Sequence, residues 1–289
     1  MNICVVHLIR EINGINPFKK FLNSYLKYKA GIDHNLILVF KTNKKNPKIE
    51  NYKNLVKGIQ HQFLIIKDNN FDLGAYYLAT LRTNYKYYCF LNSFSQIKTD
   101  EWLLKMYQYI SKPNVGLVGS TGSFASITPR FKKDYLKYPN KFLKNLFNKK
   151  YFLVNITIIF FPIVRYFYNY FPNPHIRTNA FIVSREVFLK LKIKRIFFKF
   201  QAWYFESGRN NLTKIVEKMN LKVLVVDKNG NFFEKEKWFL SKTFRSYQQK
   251  NLMISDNQTI KFELTSFENK LKDTENTWGR LDIYNTRDK

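Results

Sequence analysis

Residues 87–96 read YYCFLNSFSQ. Five aromatic or apolar residues, Tyr87 to Leu91, end abruptly in Asn92, Ser93, Phe94 and Ser95. A strand apolar on both faces belongs inside a parallel sheet covered by helices on either side. In such a sheet, ligands bind at the carboxyl ends of the strands, where polar residues first appear. The stretch therefore predicts a buried central strand that delivers Asn92, Ser93 and Ser95 to a site. No carboxylate follows before Asp100.

The flanking sequence repeats the pattern. ICVVHLI (3–9), HNLILVF (34–40) and FLII (63–66) read as strands. Between them, Asn16-Pro17 opens a helix with Phe18, Phe21, Leu22 and Tyr25 at helical spacing. Asp72 is placed to cap LGAYYLATLRTNY, and Thr99-Asp100 to cap EWLLKMYQYIS, which leads into the strand VGLVG. Strand and helix alternate up to Gly122, which predicts an α/β fold with a mainly parallel central sheet flanked by helices. After Pro174, IRTNAFIVS reads as a strand, Arg185–Leu191 as a short helix, and LKVLVVDKNG as a strand with an Asn-Gly turn. Four segments result: 1–128, 129–174, 175–260, and a polar tail 261–289 with Trp278 as a late apolar anchor.

The segment 129–174 interrupts the alternation. PNKFLKNLFNKK sets Phe142, Leu143, Leu146 and Phe147 on one helical face with lysines beside it, a basic amphipathic helix. Residues 151–164 (YFLVNITIIFFPIV) are shorter than the roughly 20 apolar residues that a spanning helix needs. They suit either a hydrophobic helical pair packed on the domain or an anchor lying on an anionic membrane surface.

Composition narrows the partners. The chain has 289 residues, with 49 Lys plus Arg against 21 Asp plus Glu, a formal charge of +28. That balance favours anionic partners, although a bias toward lysine codons explains part of it. The positive excess is concentrated around 130–150 and not along an aromatic-lined sheet face, which favours a membrane surface over nucleic acid. Cys4 and Cys89 lie in strand-like runs and form no disulfide framework. The four histidines show no ligand spacing, so no metal site is expected. The amino terminus lacks the pattern of a signal peptide. A cytoplasmic protein, peripheral at the inner membrane face, is the expectation.

Four stretches could carry chemistry. FDLGAYYLA (71–79) places Asp72 and a glycine at a helix start, where free amides favour anions; an ordinary capped helix is the plainer reading. NSFS (92–95) is either a ligand loop or a simple connection. IRTNAF sets Arg177 and Asn179 on one side of a strand. FESGRNNLT (205–213) sets Glu206 after an aromatic run, where desolvation raises a carboxyl pKa toward the range of a general base. Arg209, one turn on, either pairs with Glu206 or holds a phosphate.

The order of these stretches resembles the nucleotide-diphospho-sugar transferase fold of bacterial, family-two-like glycosyltransferases, over most of residues 1–230. In those proteins a glycine-containing helix start precedes a strand ending in a metal-binding Asp-x-Asp, and a later acidic residue at a helix start is the base. The resemblance puts FLNSFS at the metal motif and Glu206 of FESGR at the base. FLNS, RTNAF and ESGRxxLT also resemble a less-studied glycosyltransferase-like group. It implies transfer of a sugar from a nucleotide-sugar donor to a glycan or lipid-linked acceptor, inverting by default. Glu206 would be catalytic. Asp72, Asn92, Ser93, Ser95, Arg177, Asn179 and Arg209 would bind substrate. Asn92 and Ser95 are neutral and bind Mg²⁺ or Mn²⁺ poorly, so no cofactor is implied and any dependence on those ions would be weak. The alternative is a non-catalytic protein holding a polyanion or membrane on the same fold.

Overall fold

Strand β1 (Ile3–Arg10) alternates its side chains between two cores. Cys4, Val6 and Leu8 enter one apolar cluster; Ile3, Val5 and Ile9 enter another. Because successive strand residues face opposite ways, this split identifies β1 as a strand buried on both faces, the middle layer of three. The computed structural model describes residues 2–45, 47–68, 71–126, 166–192 and 204–279. The amphipathic helix expected at 139–150, the apolar run 151–164, and Phe197, Phe198, Phe200 and Trp203 lie outside them.

The other strands are β2 (Asn35–Thr42), β3 (Gln62–Lys67), β4 (Tyr87–Leu91), β5 (Gln96–Ile97), β6 (Val115–Gly119), β7 (Gly122–Ser123), β8 (His175–Ile176), β9 (Ala180–Ser184), β10 (Lys222–Val226), β11 (Phe232–Phe233) and β12 (Ile254–Ser255). Eight form one sheet in the order β11-β10-β6-β9-β4-β1-β2-β3. Pairing is parallel among β3, β2, β1 and β4 and between β6 and β10. It is antiparallel where β9 lies between β4 and β6, and at the β11 edge. The fold is thus α/β with a mixed, mostly parallel central sheet flanked by helices.

Helices cover both faces. On one, α1 (Asn16–Lys27) buries Phe18, Phe21 and Leu22, and α4 (Trp102–Ile110) buries Trp102, Leu103 and Met106. On the other, α3 (Asp72–Arg82) buries Leu73 and Tyr76; α5 (Arg185–Leu189) buries Phe188 and α6 (Leu212–Lys218) buries Val216. A short α2 (Ile49–Leu55) precedes β3. Side-chain caps start α5 and α6: Ser184 Oγ accepts from Val187 N at 3.2 Å, and Asn211 Oδ1 from Lys214 N at 3.0 Å.

Several local expectations need correction. Asp72 is the first helical residue of α3 and not its cap; Phe71 holds the cap position, and no side-chain cap bond forms. Asp100 does not cap α4 but accepts from Lys29 N at 2.8 Å, while Glu101 enters the helix with φ +57°. IRTNAFIVS is not one strand, because residues 177–179 form a turn between β8 and β9. Arg177 and Asn179 therefore do not share a strand face.

Residues after Thr259 fold onto the sheet. Asp256 opens α7 (Asn257–Leu264) with a reciprocal capping box to Thr259, and α8 (Phe267–Trp278) follows. Trp278 is 2% exposed; its indole N–H donates to Phe244 O at 2.8 Å and its ring packs 5.2 Å from that of Phe124. The segment 261–289 thus carries a packed helix. Among the described residues, no helix is long and apolar enough to cross a membrane.

Candidate functional site

The parallel strands end along one edge, and the reversed strand β9 begins there. Arg10, Lys41, Asp68, Asn92, Ser120 and the turn 177–179 consequently converge from widely separated positions. This is the edge where a doubly wound sheet binds ligands.

Its first part is a charge cluster at the ends of β1, β2 and β3. Lys41 is 1% exposed, and its Nζ lies 3.2 Å from Asp68 Oδ1 and 3.8 Å from Asp72 Oδ1. Arg10 grips Asp68 with Nε at 3.1 Å and Nη2 at 2.8 Å from Oδ2. Burial works to raise the Asp68 pKa, but hydrogen bonds and charge from Arg10 and Lys41 outweigh it and hold the carboxyl below its usual range. Asp72 is pushed upward: the protein around it disfavours the charge, Lys41 and Arg10 oppose that, and the carboxylates of Glu206 and Asp68 add to it. Its side chain keeps 38% exposure, so solvent moderates the shift. One turn on, Tyr76 is fully buried, its hydroxyl has no hydrogen-bond partner, and its pKa is raised by burial and then by Asp72.

The NSFS loop closes on itself. Asn92 Oδ1 accepts from Phe94 N at 2.9 Å and Ser95 Oγ at 3.1 Å, an Asx turn. Ser95 Oγ is also 3.0 Å from Asn179 O, and Ser93 Oγ accepts from Asn13 Nδ2 at 3.1 Å. The oxygens that would ligate a metal at this position are committed within the turn, and none is a carboxylate. They do not fit a divalent cation. Among the described residues, no group of three or more His, Cys, Asp and Glu side chains is placed to hold one.

Glu206 lies in a helical turn, 204–207, across from the turn 177–179. Thr178 Oγ1 donates to Glu206 Oε1 at 3.1 Å, and Thr178 N approaches the same oxygen at 3.5 Å. Gly208 closes that turn against Tyr204; a Cβ there would stand 2.4 Å from Tyr204 Cδ2. Only glycine fits, which explains the Gly in FESGR. Arg209 is exposed, and its backbone N–H donates to Phe167 O at 2.9 Å.

Beside Glu206 opens a cleft of about 360 Å³, lined by Ser123, His175, Arg177, Glu206, Arg245 and Gln258 among others. Arg177 is 8% exposed: Nη2 is 2.7 Å from Asp256 Oδ2, Nη1 is 3.4 Å from Thr121 Oγ1, and its guanidinium sits 3.9 Å from the Phe244 ring centre. Thr121 Oγ1 in turn donates to Asn179 Oδ1 at 2.7 Å, which leaves the buried Asn179 Nδ2 without a partner. His175 Nδ1 is 2.8 Å from Asn173 O. Burial lowers the His175 pKa, against the Asn173 carbonyl and Glu206, which work to raise it.

Of the residues expected from sequence, Glu206 is close enough to Asp72 to help raise its pKa, and Arg177 shares a cleft with Glu206. Asn92, Ser95 and Asn179 form one hydrogen-bonded unit. Sequence reasoning missed Lys41, Asp68, Thr178, His175 and Arg245. A lysine ending an otherwise apolar run, HNLILVFK, was the one available signal.

No protein-family model and no curated protein sequence matches the chain. Solved structures do. The mannosyltransferase PcManGT from Pyrobaculum calidifontis, in complex with GDP-Man and Mn²⁺, aligns at 10% identity over 86% of this chain and 62% of its own, with a TM-score of 0.49. Mouse xyloside xylosyltransferase 1, in its apo form, aligns at 10% identity over 78% and 86%, with a TM-score of 0.42. Residues 1–349 of Staphylococcus aureus TarS align at 11% identity over 42% and 35%, with a TM-score of 0.34. The chain spans about a third of that TarS fragment.

Proposed function

We propose that this protein is a glycosyltransferase that moves a sugar from a nucleotide-sugar donor to a hydroxyl of a glycan or lipid-linked acceptor. One observation carries the reading. Glu206, held by Thr178, stands at the carboxyl edge of a doubly wound sheet, beside Asp72 and at the mouth of a cleft. A base must lie within hydrogen-bond reach of the proton it takes, and Glu206 borders open space. It would accept the proton of the acceptor hydroxyl as that oxygen attacks the anomeric carbon; the nucleoside diphosphate leaves with the bonding pair. A single base on the attacking side supports inversion.

Asp72 and the Asn92–Asn179 unit would orient the donor. Arg209, one turn beyond Glu206, would compensate the leaving diphosphate together with α3's free amide groups. Arg177, already paired with Asp256, serves better to fix the turn 177–179 than to carry phosphate. The closed NSFS turn supports a reaction that does not depend on an Asp-x-Asp-bound metal. A peripheral membrane position remains part of the proposal through the basic segment 129–174.

A thermal-shift screen against nucleoside diphosphates and nucleotide sugars, with Mn²⁺ or with chelator, tests the reading. A shift with one nucleotide that survives chelator is the expected result. A shift only with Mn²⁺ overturns metal independence. No shift with any of them, beside binding to anionic vesicles, would favour the non-catalytic reading.

A further inference from the structure

Among the described residues, the cleft beside Glu206 holds two guanidiniums, and each is matched by a carboxylate. Arg177 is matched by Asp256 at 2.7 Å and Arg245 by Asp273 at 3.8 Å. Burial disfavours the charged form of His175, and the Glu206 carboxyl group lines the same space. Among the described residues, a phosphate or carboxylate entering here would meet paired arginines and a glutamate with no ion-pair partner, an arrangement that opposes anions.

What the cleft offers instead is unspent hydrogen bonding of both kinds. Arg245 lines the cleft, and its Nη1 and Nη2 make only long contacts, 3.4 Å, to Thr277 and Gln258. The Asn173 carbonyl can only accept, so His175 Nδ1 carries the proton and Nε2 presents a lone pair. Gln258 is exposed at the first turn of α7 and lines the same space. The cleft volume, about 360 Å³, lies in the range of small-molecule pockets.

We infer that this cleft is the acceptor subsite and that it takes an uncharged polyol, a neutral sugar unit whose hydroxyls both accept from Arg245 and donate to His175 Nε2. Arg245 is the positioning residue. Both it and Phe244 come from the segment before α7, packed under Trp278 through the Phe244 carbonyl. The inference rests on reading Glu206 as the base, since it places the acceptor hydroxyl within that residue's reach.

Saturation-transfer NMR on the full chain tests it, with methyl glycosides of neutral hexoses and the corresponding hexose 6-phosphates as probes. The wild type is expected to show transfer to at least one methyl glycoside, undiminished by saturating UDP or GDP, and weaker transfer to the phosphates. Gln258→Trp, an exposed substitution that fills the cleft, should abolish it. Arg245→Lys, which keeps the charge but loses the planar fork, should weaken it about tenfold, the loss of roughly one hydrogen bond. Nucleotide affinity should change less than about twofold in both, within the scatter of a remote substitution. Absence of transfer to any neutral glycoside overturns the inference, as does preference for the phosphates or survival in Gln258→Trp. Nucleotide binding in the same samples separates the two claims: nucleotides without glycosides sinks the subsite alone, and glycosides without nucleotides sinks the transferase reading.

Discussion

Thr178 Oγ1 donates to Glu206 Oε1 at 3.1 Å, and this contact ties the turn before β9 to the helical turn that carries the candidate base. Oε1 is thereby fixed, and among the described residues no hydrogen bond is made to Oε2. Glu206→Gln keeps the size and one hydrogen-bond acceptor but cannot take a proton. Sugar transfer is expected to fall about 10²–10⁴-fold, with nucleotide affinity unchanged. Turnover and binding measured on the same preparation check this; retained turnover removes Glu206 from the chemistry.

Lys41 is enclosed between Asp68 and Asp72. Lys41→Met leaves those carboxylates facing one another with less compensation, and breaking a buried pair from one side costs about 3–5 kcal/mol. The double variant Lys41→Met with Asp68→Asn should recover part of that loss. Denaturant midpoints of the two variants decide it, and equal destabilisation would mean that the pair is not coupled.

His7 lies in β1 with both ring nitrogens buried and unpartnered, stacked 3.6 Å from Phe21. Burial depresses its pKa from 6.5 to about 3. Below pH 6.5 the unfolded chain takes up a proton that the native state refuses, so stability falls as pH drops from 6.5 toward 3, on the order of 1 kcal/mol per pH unit. His7→Phe should flatten that slope between pH 6.5 and 5 without loss of stability at pH 7. An unchanged slope in urea titrations would assign the acid sensitivity elsewhere.

Trp278 closes the carboxyl-terminal helices over Phe124 and Phe239, with ring centres at 5.2 and 5.9 Å. Trp278→Ala should cost about 3–5 kcal/mol. Because its indole also holds the Phe244 carbonyl, glycoside binding in the cleft should weaken even where the protein remains folded. Calorimetry and the NMR titration report the two effects separately.

The sheet was legible in the sequence because its strands are continuous apolar runs between amphipathic helices, and YYCFL is buried at all five positions. Glu206 stands out in the sequence through its aromatic approach, most of which lies outside the described residues. The reversal of β9 was not legible: AFIVS is buried on both faces, and such a strand reads the same in either direction. Nor was the Arg177–Asp256 pair, which joins residues far apart in the chain through the capping of α7. Asp is a favoured cap residue, but Phe71 occupies the cap position of α3 and Asp72 turns toward Lys41. The closed NSFS turn carried a readable sign, an Asn followed by backbone and hydroxyl donors two and three residues on.

β7 and β8 pair antiparallel, Gly122 with Ile176 and Ser123 with His175, and Ser126 Oγ donates to Asn169 O just beyond. The chain therefore departs at Ser126 and returns near Tyr166 through a zipped stem planted beside Glu206. Such a stem is a natural graft point. Among the described residues, every rung of the central sheet lies outside 124–174, so substitutions in β7 and β8 should leave its pairing intact.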